Sequence, residues 1–546
     1  MKKIMLSLLA ICATAGLQAQ MNVPYAPIQK GGVSTVTFSG VSVSTSGTNR
    51  AVVDMNGDFL DDIVSISTSN VNILQQQAGG GFITKNISTT SANYTPSWSL
   101  AAADYNADGF TDLLYGGGSG VTFMRSDGTG NGFVEVSGSE FVFSQRSNFV
   151  DINNDGHLDA FVCHDVEPNV YYINDGSGNL TFNQGGLGDY PSGGHYGSVW
   201  IDYDNDGDID MFIAKCGGET ARRTNQMWRN NGDGSFTEVG VASGLADPMQ
   251  TWSSAWGDYD NDGDMDVFVG ASSGTHKLMR NNGDGTFTNV TSGSGVSSVT
   301  ATGIENATHD FNNDGNLDIA SNGTILYGNG NMTFTEIQFS ALSSSNGAFG
   351  DLNKDGFIDA FNSSVVRYNG GNDNHWVTIN LVGDVSNING IGARIEVTTA
   401  SGTQIRDVRS GEGFRFLSTL NTHVGLAGND VITSLTVKWP SGIVDTFTDL
   451  PADNIYEIHE GMPLAVDDNV LTQLSIYPNP ATEILNITST SPLNDAAYTV
   501  FTVDGKRVMS GKIQNDRVNV ASLAAGTYIL RIANNNAITN QQFIKR

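Results

Sequence analysis

The 546-residue chain carries 57 acidic against 27 basic side chains, a formal charge of −30, which makes nucleic acid and anionic membrane surfaces poor partners. That length suffices for several domains or one large repeat domain with appendages. The 65 glycines and only 15% charged residues suit a turn-rich all-β protein better than a helical one.

The N-terminus MKKIMLSLLAICATAGLQAQ has Lys2 and Lys3, a short apolar run from Ile4 and a small residue, Ala19, before Gln20. It reads as a signal peptide over residues 1–19. Cys12 follows Ile11, a poor fit to the small residue that lipid attachment prefers. No later run has the length to span a bilayer. An exported chain is therefore expected, secreted or held on the outer surface. Cys163 and Cys216 each stand a few residues beyond an acidic loop, and two readings stay open: a bridge formed in an oxidising compartment, or two buried thiols.

One nonapeptide then returns seven times: DMNGDFLDD from Asp54, DYNADGFTD from Asp104, DINNDGHLD from Asp151, DYDNDGDID from Asp202, DYDNDGDMD from Asp258, DFNNDGNLD from Asp310 and DLNKDGFID from Asp351. A repeat at this spacing points to a propeller or an array. The chemistry is that of a calcium loop. Oxygen ligands recur at positions 1, 3, 5 and 9, and a glycine at position 6 turns the chain in every copy but the first, which has Phe59. The candidate ligands are Asp54, Asn56, Asp58 and Asp62; Asp104, Asn106, Asp108 and Asp112; Asp151, Asn153, Asp155 and Asp159; Asp202, Asp204, Asp206 and Asp210; Asp258, Asp260, Asp262 and Asp266; Asp310, Asn312, Asp314 and Asp318; and Asp351, Asn353, Asp355 and Asp359. Position 7 shares no side-chain chemistry, so its backbone carbonyl is the expected donor. An EF-hand would need Glu at position 12 and a following helix. None of the seven copies has that Glu. The bland reading, acidic turns between strands, does not explain seven carboxylate sets in one register. Of the 57 acidic residues, 26 lie in these nonapeptides, so divalent cations would neutralise most of the excess charge.

Behind the loops stand hairpin signals such as WRNNGDGSFTEV (Trp228 to Val239) and MRNNGDGTFTNV (Met279 to Val290). Each period holds four strands, one propeller blade, and seven periods give a seven-bladed β-propeller over residues 21–374. The last blade lacks room for its outer strand. Val33 to Phe38 is expected to complete it near Val365 to Tyr368, removing open edges. The copies resemble the FG-GAP or VCBS repeats of integrin-type propellers, a likeness that implies up to seven bound Ca2+ ions. Acidification is expected to weaken the fold as calcium removal would.

From His375 the pattern changes to alternating strands with glycine turns, including GTQIRDVRSGEGF (Gly402 to Phe414), a small β domain over residues 375–461. GIGAR, HVGLAG and KWPSG stand in the order of the ASPIC and UnbV domain. That domain follows such propellers in bacterial relatives of cartilage acidic protein, which the chain thus resembles. A linker over 462–473 leads to a unit over 474–546, where YPNP, GTY and a basic terminus resemble the C-terminal sorting domain of the type IX secretion system, a β-sandwich. The likeness implies the secretion machinery as a partner.

Enzyme motifs are few. Gly270-Ala271-Ser272-Ser273-Gly274 has the pattern of a nucleophile elbow but no following helix, and reads as a blade turn. Arg222 and Arg223 offer either an anion site or a solvated loop. No catalytic residue and no cofactor site beyond the metal loops is assigned. The expected function is extracellular recognition or adhesion with a protein or glycan ligand. The alternative is a surface polysaccharide-active enzyme whose site is assembled from several blades.

Overall fold

The computed structural model describes residues 35–462 and, excepting 490–492, 494–495, 503–506, 515 and 535–536, residues 475–546. The signal peptide and all but the first residue of the expected linker lie outside the described residues. Seven four-stranded antiparallel sheets occupy residues 38–369. In chain order, blades 1 to 7 have the innermost strands Thr48–Val53, Leu100–Ala103, Ser144–Val150, His195–Ile201, Gln250–Gly257, Asn306–His309 and Ala348–Gly350. From blade 1 to blade 6 each innermost strand lies against the next, and that of blade 7 lies against blade 1, so the sheets close into a ring. Because the sheets stack face to face, strands near the axis are buried on both sides: Ala101, Ala102 and Ala103 are inaccessible, as are Ala160, Phe161 and Val162.

The ring closes through an N-terminal strand, as expected, but with a shifted register. The outer strand of blade 7 is Phe38–Ser42, which pairs Phe38 with Asn369 and Ser42 with Val365. Val36 is not part of it. Its side chain packs with Ala307, Phe311 and Tyr327 of blade 6, so Val36 anchors the strand to the neighbouring blade instead of pairing; Val33 and Ser34 lie outside the described residues.

Residues 375–461 form a three-stranded sheet, with His375–Val382 between Thr422–Ala427 and Asn454–His459, and a four-stranded sheet in the order Gly402–Asp407, Arg394–Thr399, Val431–Lys438, Val444–Pro451. These strands share one apolar cluster with blades 2 and 3, in which Leu114, Phe149 and Tyr172 meet Val377, Ile395 and Leu435. The C-terminal unit has a core of its own, including Leu485, Val500, Leu530 and Phe543, between sheets of three and four strands.

The segment read from sequence as a strand up to Phe414 stops pairing at Asp407. The residues from Arg409 to Asn421 then enter the propeller channel and touch all seven blades. Leu417 pairs with blade 1, its N–H donating to Arg50 O and its carbonyl accepting from Val52 N, both at 3.0 Å. The Phe414 ring meets Trp98 of blade 2 and Tyr196 of blade 4. From blade 3 the buried Arg146 donates to Phe416 O at 2.8 Å and Asn148 to Ser410 O at 2.7 Å. Arg409 donates to Trp256 O of blade 5 at 3.2 Å. The Glu305 carboxylate of blade 6 accepts the amides of Phe414 and Arg415 at 3.2 and 3.0 Å. Thr419 N donates to Phe349 O of blade 7 at 2.9 Å. The channel is thus filled by a plug whose polar backbone is paired with the blades, as buried polar groups require.

Gly411 allows this insertion. Its φ is +90°, and a Cβ there would lie 1.5 Å from Arg146 Nη2. Gly411→Ala should therefore destabilise the chain by about 3 kcal/mol, whereas Gly428→Ala, where a Cβ meets nothing within 4 Å, should change stability by less than about 0.5 kcal/mol. Denaturant unfolding of the two variants checks both.

Candidate metal centres

Each nonapeptide links the innermost strand of its blade to the second, and its geometry repeats. The position-1 Asp accepts the position-6 amide at 2.7 to 3.2 Å in all seven loops. The position-5 Asp accepts the position-7 amide at 2.9 to 3.0 Å. Phe59 keeps its place in this pattern at φ +60°, so the first loop retains the shared bond and carries backbone strain instead of a different shape. Position 4 is left-handed in every copy: Gly57, Ala107, Asn154, Asn205, Asn261, Asn313 and Lys354 all have φ between 53° and 73°. Sequence reasoning missed this requirement, although four of the seven being Asn was a readable signal.

Position 9 has a distinct task. Asp62, Asp112, Asp159, Asp210, Asp266, Asp318 and Asp359 are inaccessible to solvent. One oxygen of each accepts the position-2 amide, and the other accepts the amide of the last residue of the third strand, all between 2.7 and 3.2 Å. Several of those last residues also tie neighbouring blades. Asn174, Asn281 and Asn369 donate to the position-2 carbonyl of the preceding blade's loop at 2.7 to 2.8 Å. In the RNNGDG hairpin signature of blade 5 the first Asn, Asn281, is therefore an interblade tie as well as part of a turn.

A ligand set needs gathered oxygens with lone pairs left for an ion, and a carboxylate oxygen that accepts one amide still has one. Carboxylate oxygens of Asp202, Asp204 and Asp206 lie within 4.8 Å of one another, as do those of Asp258, Asp260 and Asp262; position 9 belongs to neither group. Buried oxygens of Asn56, Asn106, Asp202, Asp204 and Asp260 have no hydrogen-bond partner. The acidic clusters thus fit a cation. The side chain at position 7 does not join them in blades 4 and 5. Asp208 accepts from Asn154 at 3.1 Å and Asp264 from Asn205 at 2.6 Å, each Asn being position 4 of the preceding blade's loop. Asn261 and Asn316 repeat the link at 3.2 Å.

The ASPIC-like motifs dock on this face. Arg394 of GIGAR pairs with Asp407 at 2.7 Å and donates to Asp202 O at 2.6 Å. His423 bonds Gly356 O at 3.0 Å. At Gly425 a Cβ would lie 2.2 Å from Asp310 Oδ2, so only glycine allows so close an approach to the blade 6 loop. Between the plug and blades 5 to 7 remains a cavity of about 90 Å³ lined by His309, Arg406, Arg409, Glu412 and His423. His309 Nε2 stands 3.4 Å from Glu412 Oε1. Burial lowers the His309 pKa to about 3 and raises that of Glu412.

Other candidates resolve simply. Cys163 and Cys216 are free and buried. Arg222 donates to Ser192 O, Cys216 O and Asp165, and Arg223 to Pro248 O and Gly218 O, so both guanidiniums clamp loops. Ser272 and Ser273 end the strand Asp266–Ser273, a blade turn.

Family models match FG-GAP-like repeats in overlapping stretches from 54 to 321, ASPIC and UnbV over 383–463, and a secretion system C-terminal sorting domain over 475–546. This is a chain of FG-GAP-like repeats with an ASPIC and UnbV domain and a sorting domain. The sorting domain marks it for export by the type IX system to the cell surface or beyond. No helix among the described residues is long and apolar enough to cross a membrane. None of the curated proteins matches the sequence. Solved structures with likeness include PorZ, a surface component of the type-IX secretion system of Porphyromonas gingivalis (10% identity, 97% of this chain and 61% of PorZ, TM-score 0.28). Others are the extracellular domain of BT4673 from B. thetaiotaomicron (11%, 92% and 76%, 0.24) and AofleA from Arthrobotrys oligospora (11%, 56% and 91%, 0.34). The chain thus spans less than two thirds of PorZ, and at these scores the likenesses carry no argument.

Within the repeats, desolvation first and neighbouring carboxylates second raise the pKa of Asp54, Asp151 and Asp258 to about 6, of Asp104 and Asp202 to about 7, and of Asp112, Asp210 and Asp266 to about 9. A carboxyl with a raised folded pKa adds stability that is full below its unfolded value, near 3.8, and is lost as pH rises through the folded one. The acid weakening expected from sequence therefore applies only to a cation-loaded chain, where protons compete with the ion. In excess chelator the sign reverses, and the melting temperature should be higher at about pH 5.5 than at about pH 8. Thermal scans in chelator across that range decide it.

Proposed function

We propose that the chain is an exported recognition protein whose propeller is held in shape by calcium. The observation that carries this is the oxygen-only side-chain set repeated in seven loops, gathered as three carboxylates in the loops of blades 4 and 5 and holding unpartnered buried oxygens in those of blades 1, 2, 4 and 5, which suits a hard cation. Positions 1, 3 and 5 of each loop would hold Ca2+, with the position-7 carbonyl and the position-9 carboxylate completing the set. The ion supplies charge neutralisation and cross-linking. Extracellular sites of this kind have dissociation constants of about 0.1 to 1 mM. At a few millimolar calcium each adds on the order of 1 to 2 kcal/mol, and seven together roughly 10 kcal/mol, comparable with the net stability of a domain.

The enzyme reading has one structural support, the His309–Glu412 pair, which no linear motif revealed. Its cavity of about 90 Å³ holds a handful of water molecules, too little for a polysaccharide chain, so recognition at the surface is the better account. A panel of glycans and surface proteins tested against the full exported chain, with calcium and with chelator, tests it. Calcium-dependent capture without turnover is the expected result, and turnover of a captured glycan would favour the enzyme.

The sites should also differ. Only the loops at Asp202 and Asp258 have a carboxylate at position 3, and more ligand charge tightens binding. Calcium titration should show two tighter sites and a weaker class that includes the strained Asp54 loop. Combining Asp204→Asn with Asp260→Asn should merge the classes, weakening the tight pair by about five- to tenfold.

A further inference from the structure

The plug does more than fill the channel, because its tip reaches the mouth opposite the metal loops. There Trp98 of blade 2, Tyr196 of blade 4 and Trp252 of blade 5 gather around Phe414, with ring centroids 5.6 Å apart for Trp98–Trp252, 4.5 Å for Tyr196–Trp252 and 5.0 Å for Trp252–Phe414. Phe414 is fully buried, whereas the other three rings are only partly so. Aromatic bodies with a wet edge are typical of recognition surfaces.

Two arginines stand at the same mouth of this acidic chain. The Arg415 guanidinium lies 5.4 Å from the Trp98 ring centre and that of Arg50 lies 5.8 Å from Phe416. Their only close counter-charge among the described residues is Glu305, whose nearest oxygen is 3.8 Å from Arg415 Nε, and that Nε has no hydrogen-bond partner. Burial raises Glu305 to about 7, which weakens the compensation further, and burial first and Arg415 second lower the pKa of Arg50. The plug does not need the Arg415 side chain for its anchorage, since Glu305 grips the backbone amides of Phe414 and Arg415. The side chain is 28% exposed. Arg50 donates from Nε to Trp98 O at 2.8 Å and from Nη1 to Asn49 O at 2.9 Å, which fixes its guanidinium beside Trp98 with no carboxylate as a partner among the described residues, whereas Arg222 spends its donors on loop carbonyls and the Asp165 carboxylate.

We propose that this mouth, built from Trp98, Tyr196, Trp252, Arg50 and Arg415, is a binding site for an acidic glycan. Pyranose rings lie on the aromatic side chains, and a carboxylate or sulfate pairs with the guanidiniums, whose planar forks match such oxyanions. The inference deepens the recognition reading and rests on it. It also gives the ASPIC and UnbV domain a role, since that domain supplies one of the two cations from the opposite face of the ring.

Isothermal titration of the full exported chain in about 2 mM calcium tests the site with three probes: a hyaluronan octasaccharide, which carries carboxylates, a heparin-derived octasaccharide, which adds sulfates, and neutral maltooctaose. Binding of an acidic probe but not of maltooctaose is expected. Arg415→Met should weaken it by about tenfold or more with the melting temperature kept within about 3 °C. Trp98→Leu provides the same loss through the aromatic half and serves if Arg415→Met does not fold. Equal binding of the neutral probe, no binding of either acidic probe, or unchanged binding in folded variants overturns the proposal. If the variants still capture a calcium-dependent ligand from the wider panel, recognition stands and this site falls. If the unaltered chain captures nothing in that panel, recognition itself fails.

Discussion

A buried aspartate at position 9 is the constraint on which each blade depends. It has no access to water, and its two oxygens are bound by one amide from the metal loop and one from the end of the third strand. A carboxylate buried in this way is costly unless every lone pair finds a donor. The loop and the strand are therefore fixed relative to each other wherever the residue occurs. The clusters at positions 1, 3 and 5 sit on that fixed frame, and desolvation first and neighbouring carboxylates second raise the pKa values of the position-1 Asp202 and Asp258. Loop geometry and the gathering of carboxylates are thus two results of one arrangement.

The channel adds a second constraint, and it comes from outside the repeats. Propeller rings leave an axial space that must be filled by side chains, water or another segment. Here seven innermost strands present unlike groups to it, among them Arg146, Asn148, Glu305 and Trp252, and the plug supplies a complement to each. A ring of identical blades could not hold one asymmetric segment in one orientation. The divergence among the innermost strands fits this role, because the loops, which have the same task in every blade, stay alike.

Much of this was legible in the sequence, for reasons that also explain what was not. The seven nonapeptides, the strand pattern around them and the ring-closing strand are local signals, so the architecture could be read. The closing strand fell a few residues late because Val36 binds the neighbouring blade, a tertiary choice that alternation does not encode. The side chains of Asp208 and Asp264, at the position expected to offer only its carbonyl, accept from Asn154 and Asn205 of the preceding loops. Such a partner is invisible to a reading made one loop at a time. Ser410 to Phe414 looked like part of a strand because its partners are distant in sequence, among them Asn148 and Phe149 of blade 3 and Glu305 of blade 6.

Those same interblade bonds give the metal loops a collective character. Asn154, Asn205 and Asn261 occupy the left-handed corner of their own loops and donate to the position-7 side chain of the next. Ordering one corner therefore positions the position-7 residue of the neighbouring acidic loop, and the linkage is reciprocal, since a bond that favours one ordered loop favours the other equally. The series runs through blades 3 to 6 and continues to blade 7, where Asn313 donates to Gly356 O at 2.9 Å. His423 and Gly425 of the ASPIC and UnbV domain reach the loops of blades 7 and 6, so its docking leans on that end of the series. The C-terminal sorting domain contributes nothing to this chain of contacts among the described residues. Its apolar residues form a separate cluster, whereas those of the ASPIC and UnbV domain are continuous with blades 2 and 3. The propeller and the plugging domain are energetically one unit, and the signal that exports them is carried by a part whose own core includes no residue of either.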